Sequence, residues 1–188
     1  TTSANGLWSV SISPAPDTIL LAESSGGSYV DEADPQEDKR TITLSAGDIL
    51  EGVLFPGEST ASITLLTGAL LEKSRTESTS TDIQTVLTNN RSNAILGLGF
   101  DPFSTAAANP TAPTTADSND AIEYAMYLGG IATALNSAAI ILGKPVPDFV
   151  MMQAMVRDLS DGRLDGRDAS GVVTLIVDSV TRSFPNTL

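Results

Sequence analysis

From Tyr124 to Leu142, nineteen consecutive residues carry no charge. A helix of about twenty such residues is long enough to cross a bilayer, so this run constrains the fold more than any other segment. It contains Gly129, Gly130, Thr133, Asn136 and Ser137, and no basic flank precedes it. Those polar and small residues favour a helix buried in a soluble core over a membrane span. Ser118-Asn119-Asp120 supplies the cap, and Gly143 the stop, for a helix over 121–142. The expectation is one long core helix and no membrane span.

The residues around it extend the helical reading. Ala69-Leu70-Leu71-Glu72-Lys73 is made of helix formers, and Thr81-Asp82-Ile83-Gln84 matches a capping box. Ile83, Val86 and Leu87 give the helix after that box an apolar stripe. A Pro-, Ala- and Thr-rich loop is expected from Gly97 to Asp117. Pro147 and Asp148 suit the first turn of another helix, reaching about Leu159. Its apolar positions, Val150, Met151, Ala154, Met155 and Leu159, recur at three- and four-residue steps. Residues 169–184 read as a last helix, with a Val-rich centre that also suits a strand. The group Met126, Met151, Met152 and Met155 is expected to pack between the two central helices, with an adaptable binding face as the alternative.

Upstream the period changes to two. Trp8-Ser9-Val10-Ser11-Ile12 alternates apolar and polar, as a half-buried strand does, before Pro14 and Pro16 break it. Further strands are expected at residues 18–22, from Tyr29, at 41–44, at 49–55 and at 62–66, with a turn at Ser24-Ser25-Gly26-Gly27. The charged stretch 31–40 reads as an exposed loop. Short strands with frequent turns favour a small antiparallel β-sandwich of the immunoglobulin or transthyretin sort. The fold expectation is therefore α+β: an incomplete β-sandwich domain over 1–67 and a helical domain over 68–188.

Composition then limits the chemistry. The chain has neither cysteine nor histidine. Ser–His and Cys–His nucleophile pairs are therefore impossible, as are zinc sites built from those ligands. A carboxylate pair, a lysine or a tyrosine is what an enzyme would have to use. Aromatic residues make up 5%, with one Trp and no cluster to stack on a sugar, which argues against a glycosidase cleft. The expectation is a protein that is not an enzyme. With 23 acidic and 10 basic residues the net charge is −13, which repels nucleic acid and anionic lipid. Such a surface suits a salty extracellular setting, where screening tempers self-repulsion; simple solubility is the alternative. The opening Thr1-Thr2-Ser3-Ala4-Asn5-Gly6 is polar and turn-like rather than a signal peptide, as in a mature or excised product.

Asp158, Asp161, Asp165 and Asp168 fall within eleven residues, with Gly162 and Gly166 for tight turns. Calcium, which takes six to eight oxygens, is the candidate cofactor there, although the spacing is not that of an EF-hand and Arg163 and Arg167 interleave. The alternative is a helix C-terminus finished by Asx turns. The five acidic residues between Asp31 and Asp38 form a second, weaker cation candidate. Asn90-Arg91-Ser92 fits an N-glycosylation sequon that reads as incidental.

Asn5-Gly6-Leu7-Trp8-Ser9-Val10, Gly27-Ser28-Tyr29-Val30-Asp31-Glu32, Leu65-Leu66-Thr67 and residues 158–166, in that order along the chain, together resemble bacterial immunoglobulin-like and carboxypeptidase-regulatory-like surface modules. The first is similar to their strand entry, and the second to a later turn. The third stands where a Thr-Pro-Leu-Thr signature leads into their helices, and the last resembles the segment that closes the helical portion. The resemblance implies an extracellular, cell-surface or periplasmic protein and carries over no catalytic residue. In such modules earlier strands precede the Trp8 strand, so the sheet edge at Trp8, Val10 and Ile12 is the candidate interface. The partner expected is a second copy, joined by strand addition into a fibre, or another surface protein. A ligand-binding adhesin with a calcium-dependent acidic face is the alternative.

Overall fold

The computed structural model describes residues 17–30, 41–109, 114–143 and 146–186. Trp8, Val10 and Ile12, together with the acidic stretch 31–40, lie outside the described residues. What is described is mixed α+β. Two long strands, β1 (Leu20–Val30) and β2 (Thr41–Leu54), are followed by helices α1 (Leu65–Glu77), α2 (Ile83–Leu98), α3 (Asn119–Leu142) and α4 (Asp148–Leu159). Four short strands close the chain: β3 (Arg167–Asp168), β4 (Gly171–Val172), β5 (Thr174–Val177) and β6 (Val180–Ser183). They pair as three antiparallel two-stranded sheets, β1–β2, β3–β4 and β5–β6.

Several element boundaries differ from expectation for local physical reasons. Gly26-Gly27 does not turn the chain. Both residues have positive φ, 66° and 100°, and sit in a bulge inside a continuous strand. The register jumps from Ser25↔Ile49 to Gly27↔Leu44, so the extra β2 residues loop out, held by an Asp48 carboxylate accepting from Ser45 N–H at 2.7 Å. Residues 62–66 are not a strand. Thr64 caps α1 instead, accepting from Thr67 N–H, while the Thr67 hydroxyl oxygen accepts from Thr64 N–H at 2.9 Å. That reciprocal cap gives the run Leu65-Leu66 a helical start. Before α2 the cap is Asp82, one residue later than expected, accepting from Thr85 N–H. Residues 169–184 take the strand alternative: Asp178 and Ser179, both at positive φ, form the two-residue link between Val177 and Val180. The caps of α3 fall as expected, with Ser118 accepting from Ala121 N–H and Gly143 left-handed at φ 64°.

Two of the three apolar clusters draw residues from both sides of Thr67. In the larger one, Ile42 and Leu44 of β2 pack with Ile131 and Leu135 of α3, Met151, Met152 and Met155 of α4, and Leu175 and Val177 of β5. In the second, Val53 and Phe55 meet Leu71, Leu87 and Phe103. Phe55 and Phe103 stand edge to face at 5.3 Å. Three of the four methionines are therefore core residues, as expected. Met126 is not: it is 72% exposed.

A buried polar link ties α1 to α3. The fully buried Tyr124 hydroxyl lies 2.8 Å from Thr64 Oγ1, the same atom that caps α1. Burial pushes the Tyr124 phenol up to about 12, so it stays protonated and available to this bond. From the middle of α2, Arg91 bonds Glu58 at 2.6 Å and also Asp101 at the start of the following loop, with its guanidinium 4.3 Å from the centre of the Phe55 ring. Burial alone would raise the Asp101 carboxyl, but bonds from Arg91, Ser104 and Phe103 N–H hold it below the ordinary range.

Candidate interaction surface

The four aspartates singled out in the sequence each serve the turns that follow α4. Asp158, fully buried, accepts from Gly166 N–H at 2.7 Å and Arg167 N–H at 2.9 Å through Oδ1. Its Oδ2 is buried without a hydrogen-bond partner. Asp161 accepts from Arg163 N–H at 3.0 Å, and Asp165 from Arg167 N–H at 3.1 Å. Asp168 pairs with Arg157 at 2.7 Å and accepts from Ser170 N–H. The bonds to N–H groups two residues on, made by Asp161, Asp165 and Asp168, are Asx-type, whereas Asp158 reaches eight and nine residues ahead to fasten the turn to the end of α4. Among the described residues no three carboxylates converge on a point that could hold a metal ion. Gly166 is needed here for space as well as for its φ of 79°: a Cβ would lie 2.6 Å from the Phe184 carbonyl.

Burial pushes the Asp158 carboxyl up to about 6, although the two backbone N–H bonds pull the other way and Asp165 and Asp161 add repulsion. Asp168 moves oppositely: burial opposes ionisation, but Ser170 and Arg157 hold its carboxyl below the ordinary range. One segment thus contains one carboxyl that resists ionisation and one that favours it.

The larger feature is an open apolar groove of about 1090 Å³. Leu66, Leu70 and Lys73 of α1 contribute to its lining, as do Gly97 of α2 and Gly130 of α3, and the turn at Gly162 also borders it. Its lining includes Arg163 but, of carboxylates, only Asp161, a composition unlike that of a chain with net charge −13. Volumes of this order suit ligand and peptide grooves lined mainly by apolar groups.

Part of the less buried face of α3, at Met126, Gly130 and Thr133, is a wall of this groove. Ala121, Tyr124, Ala125, Ile131, Leu135 and Ala138 face inward at helical spacing. Met126, Gly130, Thr133 and Ile140 form the opposite stripe. Ile140 is 78% exposed, and 22% of the most apolar part of α3 is buried. By length and composition α3 could cross a membrane, and it is far less buried than a core helix of this apolarity was expected to be. Its outward face holds two consecutive glycines. A Cβ at Gly129, Gly130 or Gly97 would meet nothing within 4 Å, whereas one at Gly68 would touch Val156 at 3.4 Å. Mid-helix glycine costs about 1 kcal/mol relative to alanine, and among the described residues no packing contact offsets it at Gly129 or Gly130.

The groove was not anticipated from the sequence, and of the methionines read alternatively as a binding face only Met126 lines it. The legible signal was the glycine pair inside an apolar helix, which marks close approach of another backbone as readily as a soluble core. The sequon at Asn90 proves structural: its amide, buried, donates to Ser74 Oγ at 3.0 Å and Glu77 Oε2 at 2.8 Å. No protein-family model matches the chain, and comparison with curated proteins and with solved structures gives no match either.

Proposed function

We propose that this chain is a non-catalytic structural subunit of an extracellular bacterial surface assembly, and that its copies associate by β-strand pairing along the β1–β2 hairpin. The observation that carries this reading is the hairpin itself. Its strands run 11 and 14 residues, yet among the described residues each has a single ladder partner. A long strand edge without a partner is a template for another chain. Leu21 and Ile49, half exposed on the two strands, add apolar surface to that template. In this reading β1 and β2 belong to an incomplete immunoglobulin- or transthyretin-like sandwich, in keeping with the resemblance to bacterial surface modules. The absence of histidine and cysteine supports a role without catalysis. So does the engagement of Asp158, Asp161 and Asp165 by backbone N–H groups of the segment after α4.

The test is light scattering and electron microscopy of the native chain in physiological salt. Filaments or large regular assemblies are expected, and Leu21→Lys, which places a charge on the edge strand, should reduce them sharply. A uniform species of 19.5 kDa with no filaments would overturn the reading.

A further inference from the structure

We infer that Lys73 and Asn90 join as an intramolecular amide, a covalent staple between α1 and α2 that forms with loss of ammonia. It links two helices of one copy, so it does not depend on strand pairing between copies. One carboxylate grips both nitrogens that take part. Lys73 Nζ donates to Glu77 Oε1 at 2.7 Å, and Asn90 Nδ2 donates to Glu77 Oε2 at 2.8 Å.

The partners of the Asn90 amide fix its orientation. The Ser74 hydroxyl donates to the Leu70 carbonyl at 2.7 Å, so toward Asn90, 3.0 Å away, it accepts. A carboxylate also only accepts. Both neighbours therefore face the amide nitrogen, which is the atom that must leave, and both of its N–H groups are engaged. Asn90 is buried, which keeps water, the competing nucleophile, away from the amide. Lys73 and Asn90 also border the same groove, which gives the departing ammonia a way out.

Glu77 is suited to relay protons. The bond from Lys73, and then that from Asn90, holds its carboxyl below the ordinary carboxylate range against the opposing effect of burial. It is thus an ionised base beside the amine. Glu77 takes a proton from the Lys73 ammonium, and the lone pair freed on Nζ attacks Asn90 Cγ. The Nζ–Cγ bond forms and the Cγ–Nδ2 bond breaks. Two protons in all leave Nζ, and Glu77 passes them one at a time to Nδ2, which departs as ammonium while Glu77 ends ionised. Nothing is oxidised or reduced. Holding amine and amide on one carboxylate replaces an encounter in solution by an intramolecular step, equivalent to a concentration of about 10⁵ M or more. The chain has no cysteine, so a disulfide cannot serve the same purpose.

Intact-mass spectrometry of the native 188-residue chain, fresh and after days in warm, mildly alkaline buffer, reads the bond directly. A species lighter by one ammonia is expected to accumulate, and trypsin should then release a branched fragment joining the Lys73 and Asn90 peptides. Lys73→Arg keeps an ion pair to Glu77 but should give neither product. Glu77→Gln should slow the reaction about 100-fold, with circular dichroism checking that both variants fold. Closing the loop between α1 and α2 should raise the melting temperature of the stapled chain about 8 °C above that of the unreacted one. Full mass after prolonged incubation would overturn the inference. So would ammonia loss that persists in Lys73→Arg, which marks a succinimide at an asparagine. An unchanged rate in Glu77→Gln would equally overturn it, because the proton relay would then lie elsewhere.

Discussion

Asp158 is the residue at which local geometry and solvation conflict most openly. Its Oδ1 fixes the turn after α4 through two backbone N–H groups, while its Oδ2 is buried without a partner. Ionisation of the folded chain is therefore resisted, and the carboxyl titrates near pH 6 rather than near 4 as in an unfolded chain. Between those values the folded state binds more protons than the unfolded state. Stability contributed by Asp158 is then full below about pH 4 and lost as pH rises through about 6. Asp101 and Asp168 have the opposite sign: held low by their partners, they add stability that disappears as pH falls through their folded values. Asp158→Asn keeps the Oδ1 acceptor and removes the ionisation. The stability of wild type relative to this variant should decrease from pH 4.5 to pH 7, measured by urea unfolding at both. A constant difference would show that Asp158 is solvated in solution. From the sequence, four aspartates in eleven residues suggested a shared ligand shell. Spacing along a chain does not reveal which carboxylates the next turn will claim for its own N–H groups, and here the turns claim all four.

At the scale of elements, the joint between α1 and α3 turns on one oxygen. Thr64 Oγ1 caps α1 and meets the buried Tyr124 hydroxyl of α3. Thr64→Val should cost about 2 kcal/mol, because it removes a cap and strands a buried phenol. Tyr124→Phe should cost about 1 kcal/mol. Because both substitutions break the same bond, the double variant should cost less than the sum, and thermal or denaturant unfolding of the four proteins gives the coupling. Strict additivity would mean that the hydroxyls do not interact. The helices that carry strong terminal signals were legible: Ser118 and Gly143 bound α3, and Asp148 opens α4. Elements whose signals are tertiary were not. Leu65 and Leu66 read as strand because a Thr–Thr reciprocal cap is weaker evidence than an acidic one. Gly26-Gly27 read as a turn because glycine permits a bulge and a turn equally, and the pairing of β1 with β2 decides between them.

For the whole molecule, charge and strand pairing pull in opposite directions. Net charge −13 opposes association of copies, and the proposed strand pairing at the edges of the hairpin has to overcome it. Raising the salt from about 10 mM to about 150 mM shortens the screening length from about 30 Å to about 8 Å. Association should therefore tighten as salt rises, and a dissociation constant that instead weakens would mean that ion pairs hold the contact. That the chain mixes strands and helices was visible from its periodicities. That β2 would reach into the same core as α3, α4 and β5 was not, because alternating residues identify a buried face without naming what buries it. The setting of Asn90 has a practical consequence of its own. Its amide lies inside, on Ser74 and Glu77, so an oligosaccharyltransferase can reach it only while the polypeptide is still emerging and unfolded. A sugar attached then could not be accommodated between α1 and α2. Production through a eukaryotic secretory route would therefore divide the material into a glycosylated fraction unable to close this joint and an unmodified fraction that can, whereas bacterial expression avoids the division altogether.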